Sequence, residues 1–156
     1  MRAVVEALQA LRGVAKSTAV TIVAELGSLS RFAKPRQLMG YSGLVSSEFS
    51  TGNRIQRGRI TKTGNAHLRH VIGEAAWAYQ HRPWVGGALL KRQQGLDQAI
   101  KDIAWKAQWR LHTRYKKLSG RGKNKNQVVT AIGRELLGFI WAIAVRTEAR
   151  YAGGTA

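Results

Sequence analysis

The chain has 156 residues, with 26 Lys and Arg against 8 Asp and Glu, a formal net charge of +18 and no cysteine. The length suits one domain, alone or with appendages, and 44% hydrophobic residues are enough for a modest core, which excludes wholesale disorder. The missing cysteines exclude disulfides, thiolate metal sites and cysteine nucleophiles, and the charge calls for a polyanion, most simply a phosphate backbone that releases counterions on binding.

The chain opens Met1-Arg2-Ala3-Val4-Val5-Glu6, without a long apolar signal core. No apolar run of about 18 residues stands out, so the expectation is a cytoplasmic protein with no membrane partner. Val4, Val5, Leu8 and Leu11 follow helical spacing, Arg12-Gly13-Val14-Ala15 breaks it, and Ala19, Ile22, Val23 and Leu26 resume it before a stop at Gly27. Two short helices around a glycine turn, the second beginning Lys16-Ser17-Thr18-Ala19, are similar to the helix-hairpin-helix motif. Gly13 would let backbone N–H groups approach a phosphate and Lys16 would pair with it. Ala15 stands where a second glycine is commoner, and an ordinary αα-hairpin is the competing reading.

A short helix within Phe32 to Leu44 is opened by Pro35. Ser46 to Asn65 is rich in Ser, Thr, Gly, Asn and Arg and reads as an ordered basic loop with room for a short hairpin. No acid occurs between Glu48 and Glu74, whereas Arg54, Arg57, Arg59, Lys62 and Arg69 are basic. Arginine forks suit phosphate oxygens, interleaved glycines allow close approach, and the hydroxyls of Ser50, Thr51 and Thr61 can donate to phosphate or attack it. On the residues alone, contact with nucleic acid is favoured over a solvated loop, and attack is the weaker reading.

Helical period returns from Ala66 to Tyr79 and stops before Pro83. A helix over Gln98 to Leu118 buries Ile100, Ile103, Ala104, Ala107 and Leu111. Trp105, Trp109 and His112 share a face of it, among Lys101, Lys106, Arg110, Arg114, Lys116 and Lys117. Such aromatics can stack bases, but a second packing face covered by Lys and Arg stems is the favoured expectation. Ser119 to Asn126 forms a basic loop in which Arg121, Lys123 and Lys125, with Arg110, Arg114, Lys116 and Lys117, are weaker candidates for RNA or DNA contact. A last long helix carries Val129, Ile132, Leu136, Phe139, Ile140 and Ile143 on one face, and the tail from Gly153 should fray. The class is all-α, divided as 1–82 (hairpin and loop core), 83–152 (basic helical extension) and 153–156 (tail). His67, His70, His81 and His112 lack metal-ligand spacing, and Asp97 and Asp102 are too few and too far apart for a two-metal centre, so no metal or other cofactor is expected on this chain.

The order of the motifs is more specific than any one of them. Leu11-Arg12-Gly13-Val14 is followed by Ala24-Glu25-Leu26-Gly27, Arg31-Phe32 and Gln37-Leu38-Met39-Gly40-Tyr41-Ser42-Gly43-Leu44. Then come Ser47-Glu48-Phe49-Ser50-Thr51-Gly52, Arg57-Gly58-Arg59-Ile60-Thr61-Lys62-Thr63-Gly64-Asn65, His67-Leu68-Arg69 and Glu74-Ala75-Ala76-Trp77-Ala78-Tyr79. From about Leu8 to Tyr79 this series resembles the C-terminal domain of the DEDD-type insertion-sequence transposases, the IS-one-ten and IS-eleven-eleven lineage, to which the Piv-type DNA invertases are related. The Glu-Ala-Ala-Trp stretch leans toward the IS-eleven-eleven branch.

The resemblance implies a recombinase acting in DNA transposition on element ends and target. It implies a serine nucleophile that joins covalently to DNA, a bridge-type guide RNA, and homo-oligomers in which one subunit's acidic domain, holding Mg²⁺, works with another's serine domain. It extends DNA contact over Gly13, Lys16, Arg54, Arg57, Arg59, Thr61, Lys62, Asn65 and Arg69. Two departures follow. The acidic domain has no counterpart in these residues, so the chain is expected to be inactive alone. The family serine directly precedes the loop glycine, where this chain has Thr51, with Ser50 one place earlier; both stay candidates, Ser50 slightly ahead. The alternative from another class is a non-enzymatic architectural protein that binds DNA or RNA through the same basic surface, and a cationic membrane-surface protein is the weaker third.

Overall fold

A computed structural model describes residues 1–44, 46–51, 54–60 and 66–153, with side chains for 1–44 and 66–153. Among the described residues, seven α-helices make the fold: α1 (Arg2–Leu8), α2 (Lys16–Leu26), α3 (Pro35–Ser42), α4 (Ala66–Ala76), α5 (Gly87–Gln93), α6 (Gln98–Gly120) and α7 (Lys125–Gly153). The all-α expectation holds, with one antiparallel hairpin, β1 (Ser46–Thr51) and β2 (Arg54–Ile60), inserted between α3 and α4.

Local chemistry sets the helix ends. Pro35 opens α3, and the Gln37 carboxamide oxygen accepts from the N–H groups of Ala33 (2.7 Å) and Lys34 (3.4 Å), which the first turn leaves without carbonyl partners. Gly43, in the left-handed region at φ +78°, ends it. Asp97 caps α6 through Ala99 N–H, and Asn124 Oδ1 accepts from Gln127 N–H at 2.9 Å at the start of α7.

The arrangement is built around α7. It packs against α1, α3, α4, α6 and the 3₁₀ turn Leu29–Arg31, and its Ile132, Leu136, Leu137, Ile140, Ile143 and Ala144 are fully buried. Gly133 marks its closest crossing, since a Cβ there would stand 3.1 Å from Ile72 Cγ2 of α4. One buried cluster runs from Val4 of α1 to Ala144 of α7, and the expected boundary near residue 82 falls within it.

Four expectations are corrected. The absence of a long apolar run fails at α7, which is long and apolar enough by composition to cross a membrane; half of its most apolar window is buried, as a central core helix must be. The first helix stops at Leu8 rather than reaching Leu11, because residues 9–15 bend to bury Leu11 and Val14. The basic loop is shorter than Ser119 to Asn126, since α6 continues to Gly120 and α7 begins at Lys125. Helix α5 was not expected: seven residues between Gly86 and Gln94 are too few to display a period. Residues 154–156 of the expected frayed tail lie outside the described residues.

Candidate nucleic-acid interface

The turn between α1 and α2 has an inner and an outer side. Inside, its carbonyls are satisfied from distant chain: Arg92 donates to Gln9 O (2.9 Å) and Leu11 O (3.1 Å), Gln93 to Ala10 O (2.9 Å), and the Tyr79 hydroxyl to Arg12 O (2.7 Å). Burial pushes the Tyr79 phenol well above its usual range, partly opposed by Arg12 and Arg92, so it stays a protonated donor. Burial likewise lowers Arg92, opposed by Tyr79. Gly13 sits at φ +83°, where a Cβ would come within 2.6 Å of Ala75 O, so glycine is required there both for its dihedral and for the contact with α4.

Outside, Gly13, Ala15, Lys16 and Ser17 are exposed, and no side chain caps the first N–H groups of α2. That leaves backbone donors and the positive end of the helix dipole facing solvent beside Lys16.

The turn is also where Arg12 is consumed. Its Nη1 donates to Arg82 O (2.6 Å), His81 O (3.3 Å) and Gln108 Oε1 (3.1 Å). Gln108, buried on α6, also accepts from Trp84 N–H (3.0 Å) and donates to Trp84 O (3.2 Å), fastening the 81–84 segment onto α6. Sequence periodicity had no means to find this network, whose members lie 24 to 96 residues apart.

In the hairpin, Ser50 stands opposite Ile55, Thr51 opposite Arg54, Phe49 opposite Gln56 and Glu48 opposite Arg57, with a bulge between Ser46 and Glu48. Both candidate hydroxyl residues therefore end β1, and consecutive strand positions belong to opposite faces. Arg57 and Arg59 follow on β2; Thr61, Lys62 and Asn65 lie outside the described residues. Arg69 on α4 donates to Ser42 O at the end of α3 (3.4 Å).

The outer side of α6 differs from the packing face expected there. Trp105 and Trp109 are 41% and 53% exposed, and Trp84 is 67% exposed. The helix packs through Ile100, Ala104, Ala107, Leu111 and Tyr115 instead, which leaves the tryptophan side partly exposed among the described residues. His112 belongs to the margin, its Nδ1 3.1 Å from Tyr79 O. Arg110 and Arg114 already share Glu135 of α7, at 2.7 and 2.6 Å. Lys116, Lys117, Arg121 and Lys123 are exposed, and Lys125 lies over the Trp77 ring at 5.7 Å. Among the described residues, no three of His, Asp and Glu stand together as a metal site; His67 pairs with Glu25 and His70 with Glu74.

These features define a class first: a basic helical domain around one apolar helix, bearing an arginine-carrying hairpin between its third and fourth helices. Residues 5–89 match the family described as Transposase IS116/IS110/IS902, and the chain belongs to that family. It is 51% identical over 144 residues to y4qE of Sinorhizobium fredii, which bears a transposase name, covering 92% of this chain and 37% of that protein. It is 28% identical over 141 residues to the transposase for insertion sequence element IS1111A of Coxiella burnetii, covering 90% of this chain and 33% of that one. The chain thus spans about a third of the length of these relatives. At the level of the family, the resemblance carried by the motif order is borne out.

Proposed function

We propose that this chain is the DNA-handling, C-terminal part of an insertion-sequence transposase, with a hydroxyl at the end of β1 that attacks a DNA phosphodiester. The observation that carries the reading is the register: in a member of this family, Ser50 and Thr51 end one strand while Arg54 and Arg57 stand on the strand opposite. In the proposed step the hydroxyl oxygen bonds to phosphorus and the bond from phosphorus to a deoxyribose oxygen breaks. The hydroxyl proton passes to a base, and the leaving oxygen is protonated. Ser50 and Thr51 occupy opposite faces, so one attack geometry uses only one of them, and threonine's extra methyl crowds an in-line approach.

Phosphate contacts are assigned to Arg54, Arg57, Arg59, Thr61, Lys62, Asn65 and Arg69, and to the outer side of the first turn, where Gly13 and Lys16 flank an uncapped helix start. Lys116, Lys117, Arg121, Lys123 and Lys125 are assigned to a guide RNA, with Arg110 and Arg114 in competition with Glu135. Mg²⁺ is assigned to an acidic domain outside the described residues, supplied within an oligomer or by a partner chain. A DNA target places the work at the nucleoid, in the cytoplasm.

The test is covalent capture. The chain is mixed with element-end DNA, guide-type RNA, Mg²⁺ and the remainder of a longer relative, then run on a denaturing gel beside Ser50→Ala and Thr51→Ala. The expected result is a protein–DNA adduct lost in one of the two variants. No adduct while salt-sensitive DNA binding persists would overturn the nucleophile and leave an architectural binder.

A further inference from the structure

Three of the five tryptophans, Trp84, Trp105 and Trp109, are exposed, and two of them are neighbours on one helix. Trp105 and Trp109 are one turn apart on α6, their ring centroids separated by 6.0 Å and their planes 86° apart. An edge-to-face pair uses the face of one ring and the edge of the other, which leaves the remaining indole faces open to solvent. Nothing in the helix's own packing requires indoles here, because its buried side is complete without them. Large exposed aromatics on a folded chain mark a binding surface more often than a packing failure.

The chemistry around the pair selects the occupant. Lys101 and Lys106 flank it, and Lys116 and Lys117 continue the helix beyond it. The only acid between Gln98 and Lys125 is Asp102, already engaged by Gln98 Nε2 at 2.9 Å. Docking of an apolar protein face would desolvate these ammonium groups, whereas a nucleic acid strand lays its bases on the indoles and its phosphates against the lysines, which stay hydrated. The perpendicular ring planes separate duplex from single strand. Two successive bases can meet both rings only by turning relative to each other, which an unpaired strand permits and a stacked duplex does not.

We propose that the outer face of α6 is a stacking site for the unpaired bases of a single-stranded nucleic acid, with Trp105 and Trp109 as its platform and Lys106 as a phosphate contact. It extends the reading above, but it stands on the exposed pair rather than on the hairpin. Stacking makes it tolerant of base identity.

The test titrates tryptophan fluorescence of the full 156-residue chain with oligothymidine, oligouridine and a duplex of equal length. Both single strands are expected to quench more strongly and at lower concentration than the duplex, and the ratio between the two arms says whether DNA or RNA is the better ligand. Trp105→Ala and Trp109→Ala should each weaken single-strand binding roughly 10-fold, with Trp→Phe restoring most of it, while the slope of log K against log salt stays as in the parent. Lys106→Gln should instead lower that slope by about 0.7. Thermal melting of the exposed-site variants should match the parent. Parent-like affinity in the folded Trp105→Ala/Trp109→Ala double variant, or quenching no stronger with single strands than with duplex, would overturn the proposal. So would a double variant that loses self-association but binds single strands as the parent does. Covalent capture at the hairpin is read with both tryptophans in place, so failure of either assay leaves the other's result standing.

Discussion

The cations of the first turn and those of the outer face of α6 are the same residue types put to opposite uses. Around residues 9–15, Arg12 and Arg92 spend their donors on four backbone carbonyls and one carboxamide, and Arg110 and Arg114 on the inner margin of α6 share Glu135. On the outer margin, Lys106, Lys116 and Lys117 are exposed, and no acid among the described residues pairs with them. The net charge of +18 is therefore not the charge a ligand meets. Arginine, with a fork that satisfies several acceptors at once, is built into the fold, while lysine, a hydrated point charge, stays at the surface.

The sharpest way to break the comparison is at Gly13. Gly13→Val puts a branched side chain at a positive φ and against Ala75 O, and should cost about 3 kcal/mol or more, lowering the melting temperature by roughly 6–12 °C. A melting temperature unchanged within error would show that the turn is not packed on α4 as described. Next in size, Gln108→Leu keeps the volume but removes one of the three acceptors of Arg12 Nη1 and strands both backbone groups of Trp84. A loss of about 2–3 kcal/mol in urea unfolding is expected, and a neutral result would mean that water replaces the carboxamide.

A third experiment sharpens the contrast between the two kinds of cation. Lys106→Gln with Lys117→Gln should flatten the salt dependence of single-strand binding by about 0.7 per lost phosphate contact, whereas Arg110→Gln with Arg114→Gln should change stability more than slope. Equal slopes for the two pairs would end the distinction.

The smallest effect concerns Glu148 of α7, which accepts from the N–H groups of Leu29 and Ser30, both at 2.9 Å, and from the hydroxyls of Ser28 and Ser30. Burial raises its carboxyl, but these hydrogen bonds outweigh burial and hold it below the ordinary value of 4.5. Its contribution is therefore complete above that ordinary value and is lost as pH falls through the depressed one. Glu148→Gln should cost about 1 kcal/mol at neutral pH and nearly nothing in strong acid, read as melting temperature against pH.

The long helices were legible because apolar residues recur at helical spacing over 23 and 29 residues, and Pro35 announced the start of the short α3. The motif order was legible enough to indicate the family. The tryptophans were misjudged for a definite reason. Periodicity says that Trp105 and Trp109 share a face, but a helix with apolar residues on two faces does not say which face finds a neighbour. That was decided by α7, which meets the Ala104, Ala107 and Leu111 side. The Arg12 and Gln108 network was illegible because the residues it joins meet only after the fold closes. At the hairpin the basic character was visible, while the register that sets Thr51 against Arg54 is a property of the paired strands.

The position of α7 in the chain has a consequence for how the protein is made. A ribosome delivers α1 to α6 before α7, the helix that fills the space between α1, α3 and α4. Until α7 emerges, Val4, Leu38 and Ile72 lack the partner that covers them, and a chain interrupted near residue 124 would expose that unfinished core to proteases and chaperones rather than persist as a smaller domain. A frameshift or early stop anywhere upstream of α7 thus silences the entire domain, hairpin included.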